Sequence, residues 1–469
     1  MKQKKHVLSH SVVLLVTLIV ASVLFGELFR PKFNNDNYWP LDVTYESFYE
    51  MEENTVDVLF LGSSHAISAF SPQELYDETG IRSFNLSSEE QSLLVSYYWL
   101  REALRFQKPK AVVLDTVVCF PYTDTPYNCT EPSIRKALEP MKWSSVKWEA
   151  ISAISSLDPK ETFASYLFPI IRYHARWNDL TYGDIHFWPP QNTSLKGYAV
   201  LSEDYGKEDY VPLTEEPAVP AGTHPLMMEY LDRIVSLCKE EGIELILVST
   251  PYMEATGETH QAMADYASKN ALTYIDFNLE DVIQEMDFVF RDDMADAGHA
   301  NTSGAVKLTD YIGAVCVEHG IPSKADEQYE RSRAYVNRQI KNANLYRIDN
   351  MKELMGSINY DQYLIFVNGS DSSSFSSLEI ELEEAWDSPV GLIMEDGIVT
   401  DISDQKIQGY RFFDNISYKI LPGDKSSSIT INGVTYTRNT EGVQIILLDR
   451  EKGYVIDHSC YDRNGQRVQ

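Results

Sequence analysis

The sequence predicts an α/β protein with a doubly wound parallel sheet, preceded by a transmembrane helix and followed by a small separate domain. Short apolar runs alternate with amphipathic helical patterns through the first two thirds of the chain. A basic amino terminus precedes a long apolar segment, and strand signals become frequent near the carboxyl end. With 469 residues, the chain is long enough for two or three domains.

The amino terminus has the pattern of a signal peptide or a signal anchor. Lys2, Lys4 and Lys5 precede the segment 8–29, which is long and apolar enough to cross a bilayer. Small-x-small cleavage sites are poor, so we favour an uncleaved anchor and assign residues 1–35 to a cytoplasmic tail and transmembrane helix. Because basic flanks stay in the cytoplasm, we predict a single-pass protein of the cell membrane with the remaining chain outside.

Residues 36–325 are predicted to form the doubly wound domain, after a linker over residues 30–55. Three short apolar runs are typical of buried parallel strands: 56–61, 111–114 and 243–248. Helical patterns accompany them at 92–106, 226–241 and 303–319. Such strand and helix alternation predicts helices on both faces of the sheet.

Residues 120–225 interrupt this alternation and are predicted to be an insertion over the carboxyl edge of the sheet, where ligands bind in such folds. The segment 172–177 combines arginines, a histidine and aromatic rings. Aromatic and guanidinium groups suit sugar faces and anionic polymers, so Arg176 and Trp177 are candidate substrate contacts. The alternative is that this cluster anchors the insertion structurally.

Residues 326–469 are predicted to form a C-terminal accessory domain, small and α/β or β-rich. A polar helical stretch leads into strand patterns, and Asn432-Gly433 lies between alternating residues. An Asn-Gly pair in that setting is a strong hairpin signal.

Composition excludes some function classes. The net charge of −30, without a basic stripe, excludes nucleic acid as a partner. The five cysteines form no Cys-x-x-Cys pair, so no structural zinc site is expected. Cys119 and Cys129 could pair outside the cell or remain reduced.

Gly62-Ser63-Ser64-His65 directly follows the first predicted strand. A serine at a strand-to-helix turn presents its hydroxyl at the carboxyl edge of the sheet, where its backbone N–H can face an oxyanion. Ser64 is therefore the candidate nucleophile. His65 is either a substrate contact or a residue that caps the next turn.

Asp296-Ala297-Gly298-His299 precedes the last predicted helix of this domain. A serine needs a base to become nucleophilic at neutral pH, and the base needs an orienting acid. His299 and Asp296 can take those roles, because both can lie on one loop at the sheet edge. The alternative is a helix-capping acid beside a surface histidine.

The Gly-x-Ser after a strand and the later Asp-x-x-His resemble the SGNH (GDSL-type) hydrolase superfamily over residues 55–322. The segment 301–307, Asn-Thr-Ser-Gly-Ala-Val-Lys, is similar to its cell-envelope branch, which includes proteins of teichoic-acid D-alanylation and alginate O-acetylation. The resemblance implies a flavodoxin-like sheet and no cofactor. It implies Ser64 as nucleophile, His299 as base and Asp296 as orienting acid.

Two other blocks depart from the family pattern. The segment 83–92 resembles the second block and offers Asn85 as a candidate substrate contact, but Glu90 stands where the oxyanion glycine is usual. The third block lacks its asparagine and reads Asp-Thr-Val-Val-Cys up to Cys119. We therefore expect an atypical oxyanion hole formed by the backbone N–H groups of Ser64 and Glu90.

The segments 442–449 and 453–457 resemble an interleukin-like EMT inducer domain, which in bacterial proteins implies a carbohydrate-associated module. The alternative is an unrelated β module that packs on the preceding domain.

Two classes of function compete. The first is an extracytoplasmic serine esterase or O-acyltransferase acting on acyl esters of a cell-envelope polysaccharide or teichoic-acid-like polymer. The second is a catalytically inactive SGNH scaffold that binds glycan or assists polymer assembly. A metal-dependent hydrolase is disfavoured and no metal is expected, because His299 has no second histidine at ligand spacing. In similar systems the partner is a membrane-bound O-acyltransferase, so we expect one here.

Overall fold

The computed structural model describes residues 2–31, 41–180, 195–370, 388–411, 416–450 and 453–468. The chain divides into two compact units, Met1–Asn337 and Arg338–Gln469. The boundary expected from the sequence, after residue 325, comes before this division, and the helix Glu327–Asn344 runs through it.

The first unit contains a five-stranded parallel sheet in the order β2-β1-β3-β4-β5, the flavodoxin-like order. The strands are β1 Val58–Leu61, β2 Ser83–Asn85, β3 Ala111–Asp115, β4 Glu244–Ser249 and β5 Thr273–Asp276. The three strands that the apolar runs predicted are present. Alternate strand residues enter two apolar cores, one on each face of the sheet, as expected for a doubly wound fold.

Helices cover both faces of this sheet. They are α2 Leu41–Glu50, α3 Ser64–Ala69, α4 Pro72–Thr79, α5 Leu93–Ala103, α10 Pro225–Glu241, α11 Gly257–Asn270, α12 Glu280–Glu285, α13 Phe290–Asp293 and α14 Thr302–Glu318. Helix α2 lies within the segment that we expected to be a linker. Its Tyr45 is buried and stacks on Trp99 of α5 with ring centroids 4.5 Å apart. Residues 32–40 of the expected linker lie outside the described residues.

The insertion forms α6 Glu131–Leu138, α7 Ser145–Leu157, α8 Phe163–Leu167 and α9 Ile170–Tyr173, followed by the 3₁₀ turn His174–Asn178. Residues 181–194 of the expected insertion lie outside the described residues. Cys119 and Cys129 are both free and buried, so they form no disulfide.

The amino-terminal helix α1 extends over Lys2–Phe29. In the part of the chain that the structure describes, one segment is long and apolar enough to span a membrane: His10–Phe29, with mean hydropathy 2.6. Only 6% of it is buried in the protein, and a secretory signal has the same length and composition.

The second unit is β-rich. Its helices are the end of α15 Glu327–Asn344 and α16 Met351–Ser357. One antiparallel sheet has the order β14-β13-β6-β7-β8, and the other has the order β12-β11-β10-β9. The strands are β6 Tyr363–Gly369, β7 Val390–Glu395, β8 Ile398–Ser403, β9 Ile407–Arg411, β10 Ile416–Leu421, β11 Ser427–Ile431, β12 Val434–Arg438, β13 Val443–Asp449 and β14 Tyr454–Tyr461. The predicted hairpin joins β11 and β12, with Asn432 and Gly433 both at positive φ.

Candidate active site

Ser64 is the first residue of α3, two residues after Gly62 and three after the end of β1. A Cβ at Gly62 would lie 2.7 Å from Asp115 Cβ and 2.8 Å from Ala66 Cβ, so this close turn requires glycine. Ser63 caps α3, and its Oγ accepts from His65 N and donates to Asp115 Oδ2 at 3.3 Å. The turn therefore holds the Ser64 hydroxyl at the carboxyl edge of the sheet.

The structure brings the three residues of the predicted triad together. His299 Nε2 lies 2.9 Å from Ser64 Oγ, although 235 residues separate them in the chain. His299 Nδ1 lies 2.8 Å from Asp296 Oδ2 and 2.9 Å from Asp296 Oδ1. If Nδ1 carries the ring proton, Nε2 has its lone pair directed at the serine, which is the arrangement that a general base requires.

A short hairpin holds Asp296 and His299 in register. Met294 and Ala300 form a β-bridge, and Ala295 N donates to His299 O at 2.7 Å. Asp296 Oδ1 also accepts from the backbone N–H groups of Gly298, at 2.8 Å, and His299, at 3.0 Å. The carboxylate thus organises its own loop as well as the imidazole.

Helix α14 begins directly behind this hairpin. Asn301 caps it, accepting from Ser303 N at 2.9 Å and Gly304 N at 3.2 Å. A Cβ at Gly304 would lie 2.1 Å from Asp293 O, so only glycine lets the helix approach this closely. Buried Asp293 in turn accepts from Ser303 Oγ and from Lys307 Nζ. The segment 301–307 therefore positions the loop that carries His299.

Asp296 is held ionised by its partners. Burial alone would raise the pKa of this carboxyl, but the hydrogen bonds from His299 and Gly298 lower it to about 2. A carboxylate charged at neutral pH can stabilise an imidazolium formed when His299 takes the serine proton.

His65 lies against the base. Its ring centroid is 5.2 Å from that of His299 and 4.9 Å from that of Tyr252, and a Cβ at Gly298 would lie 2.8 Å from its Cε1. Burial, with the neighbouring His299, lowers the pKa of His65 to about 3, so the ring is neutral at physiological pH. It adds bulk beside the triad without adding charge.

The sequence analysis did not predict a cluster of polar side chains that lies next to the nucleophile turn. Asp115, at the end of β3, accepts from Ser63 Oγ and, at 3.4 Å, from Thr250 Oγ1. Thr250 Oγ1 also lies 3.5 Å from His65 Nδ1, and Asn278 Nδ2 donates to Thr250 O. Asp115, Thr250 and Asn278 lie at or just after the carboxyl ends of β3, β4 and β5, and that shared position was the available signal.

Glu90 adopts the left-handed backbone conformation, with φ of 49°. The family that the sequence resembles usually has glycine at this position, and glycine adopts this conformation without strain. Its Oε2 accepts from Thr130 N at 2.9 Å and from Thr130 Oγ1 at 2.6 Å. Because Thr130 directly precedes α6, the Glu90 side chain connects the loop after β2 to the insertion. Its oxyanion role stays a prediction that concerns the backbone N–H alone.

Asn85 is fully buried, where the sequence had suggested substrate contact. Its Nδ2 donates to Ala66 O at 2.7 Å and to Phe70 O at 3.0 Å, which uses both amide hydrogens. The structure therefore assigns Asn85 to holding α3, and with it the nucleophile turn, in place.

The other two candidate substrate contacts lie on the insertion. Arg176 Nη1 donates to Phe29 O at 2.7 Å, at the end of α1. Trp177 is 67% exposed beside it. The contact of Arg176 with α1 agrees with the alternative that this cluster anchors the insertion structurally. Substrate contact by Trp177 stays a prediction.

Over the described ranges, no group of three or more His, Cys, Asp or Glu residues is arranged to hold a metal ion. The sequence matches no protein-family model and no curated protein.

Proposed function

We propose that the chain is an extracytoplasmic serine esterase or O-acyltransferase of the SGNH type, acting on acyl esters of a cell-envelope polysaccharide or teichoic-acid-like polymer. The observation that carries the proposal is the hydrogen-bonded series from Ser64 through His299 to Asp296 at the carboxyl edge of a flavodoxin-like sheet. Serine, base and orienting acid in this order are the arrangement of nucleophilic acyl transfer.

In the proposed reaction, His299 Nε2 takes the proton of Ser64 as Oγ attacks the ester carbonyl carbon. The oxyanion faces backbone N–H groups, among them that of Ser64, which lies in the first turn of α3 and has no intrahelical acceptor. Collapse of this intermediate expels the alcohol, which takes the proton from His299, and leaves an acyl-Ser64.

The second half of the reaction uses the same groups. Water or a polymer hydroxyl attacks the acyl carbon, His299 takes its proton, and Ser64 regains a proton as it leaves. Water gives the free acid, whereas a polymer hydroxyl gives a new ester. Anchoring by α1 beside the envelope favours the polymer, and a membrane-bound O-acyltransferase is the proposed partner that supplies the acyl group.

The test offers the full chain in detergent a chromogenic acetyl ester and a fluorophosphonate probe. We expect ester turnover and labelling that are lost in Ser64→Ala. Ser236→Ala is the matched control, because Ser236 is exposed on α10 and its hydroxyl donates to Asp232 O within the same helix. Equal rates in Ser64→Ala and the wild type would refute the proposal.

A second candidate function is an inactive scaffold that binds glycan, with the second unit as a carbohydrate-associated module. It is favoured by one observation: the third family block lacks its asparagine, and Cys119 is buried there with a 3₁₀ turn in place of a side-chain donor. Absence of fluorophosphonate labelling together with retained binding of envelope polysaccharide would select this function.

A further inference from the structure

The insertion exposes apolar side chains just before α7, on α7, α8 and α9, and in the 3₁₀ turn that follows. We call this surface the apolar platform, and its residues are Trp143, Trp148, Leu167, Ile171 and Trp177. Their exposed fractions run from 41% to 67%. Trp143 and Trp148 both pack against the Phe163 ring, which joins α7 to α8. Exposed apolar groups concentrated on one surface mark an interaction site.

The platform adjoins the end of the membrane-spanning candidate helix. A Cβ at Gly26 of α1 would lie 3.2 Å from both Ile170 N and Pro169 Cδ, so the last turns of α1 pack directly on α9. Arg176 Nη1 donates to the carbonyl of Phe29, the last residue of α1. The position of the helix end therefore also determines the position of the platform.

The charge around the platform differs from that of the chain. The chain carries 70 Asp and Glu residues against 40 Lys and Arg residues, yet residues 162–178 contain no acidic residue. Residues 162–171 contain no charged residue at all, and Arg172, His174 and Arg176 follow. The Arg172 guanidinium is paired with the carboxylate of Glu131 at 2.6 Å. An apolar surface bordered by polar and guanidinium groups is suited to the headgroup interface of a bilayer.

We propose that the apolar platform inserts into the headgroup interface of the bilayer that α1 spans. A spanning helix ends at that interface, so residues packed on its last turn lie at headgroup depth. Tryptophan is enriched at this depth because its ring is apolar while its N–H can meet water. The platform would hold the catalytic face at a fixed height above the outer leaflet. The proposal rests on α1 spanning the membrane and does not depend on the proposed chemistry.

The test labels single introduced thiols with bimane in the full chain, reconstituted into phosphatidylcholine and phosphatidylglycerol liposomes without other proteins. All five native cysteines are buried, so an introduced surface thiol reacts selectively. Ile171→Cys reports on the platform. Val317→Cys is the matched control, because Val317 is 54% exposed on α14 and Ile171 is 49% exposed. Leu18→Cys reports on the insertion of α1.

We expect lipid-linked nitroxide to quench the labels at Ile171 and Leu18 and to spare the label at Val317. Aqueous iodide should give the reverse order. Adding Leu167→Glu to the Ile171→Cys variant should reduce lipid quenching, since a carboxylate resists the apolar interface.

Three results would overturn the proposal. A label at Ile171 that iodide quenches as strongly as the label at Val317 excludes lipid contact. Protection of Ile171 that requires native membranes, and is absent in pure lipid, assigns the platform to a protein partner. A label at Leu18 that lipid does not quench removes the spanning helix on which the proposal rests. None of these results bears on Ser64 reactivity, so the proposed function is tested separately.

Discussion

Replacing Asp296 by Asn should disable the triad without disturbing its geometry. Asp296 Oδ1 accepts from two backbone N–H groups, those of Gly298 at 2.8 Å and His299 at 3.0 Å. The amide oxygen of Asn must occupy this position, because an NH₂ group there would face two donors. The NH₂ group then takes the place of Oδ2, 2.8 Å from His299 Nδ1.

That exchange changes the tautomer of the base. With a donor facing Nδ1, the imidazole proton moves to Nε2, which lies 2.9 Å from Ser64 Oγ. An Nε2 that carries a proton cannot accept the serine proton. Loss of the correct tautomer costs about 10⁴-fold in rate, or about 5 kcal/mol of transition-state free energy.

The assay is the rate of fluorophosphonate labelling of Ser64 in the full chain. Asp292→Asn is the matched control, because the Asp292 side chain is 51% exposed and that of Asp296 is 58% exposed. Asp292 pairs with Arg291, outside the triad, so its variant should label at the wild-type rate. An Asp296→Asn variant that labels within about tenfold of the wild type would refute the assigned role of the carboxylate.

Three further predictions concern residues that hold the triad in position. Burial raises the pKa of Asp115 from 3.8 to about 6, so between these values this carboxyl binds more protons in the folded protein, and its contribution to the free energy of unfolding falls as pH rises. Asp115→Asn should lack that fall, about 2 kcal/mol between pH 4 and pH 7, which denaturation of both proteins at these two pH values would measure; identical pH dependence contradicts the shift. Gly304→Ala should destabilise the protein by about 1–3 kcal/mol, since its Cβ meets Asp293 O at 2.1 Å. Gly257→Ala, where the nearest atom is 3.6 Å away, should leave the melting temperature unchanged, and an equal effect of the two substitutions would refute the close-approach argument. Asn301→Ala should lower the free energy of unfolding by about 1 kcal/mol, because α14 loses its N-terminal cap, and it should slow the labelling of Ser64. A melting curve identical to that of the wild type would contradict this prediction.

Sequence patterns predicted the central strands well and the edge strands poorly. Strands β1, β3 and β4 are buried on both faces, and their continuous apolar runs stand out. Strand β2 has only three residues and includes Ser83 and Asn85, so it shows no comparable run. Helix α2 was missed because its aromatic residues follow prolines and asparagines that favour a linker, and its partner Trp99 lies far along the chain.

The sequence by itself determined which residues are candidates for the triad and which elements carry them. Gly62 and Ser64 after a strand, and Asp296 with His299 before a helix, form local signals that need no tertiary information. The tertiary structure decided the uses of the polar residues around them. The sequence suggested Asn85 as a substrate contact and did not single out Asp115. Their buried hydrogen-bond partners show that both residues hold the nucleophile turn. In the same way, the hydrogen bond from Arg176 to Phe29 O shows that Arg176 contacts the end of α1. Local patterns record what a side chain can do, whereas its hydrogen-bond partners are set by segments distant in the chain that only folding brings within reach.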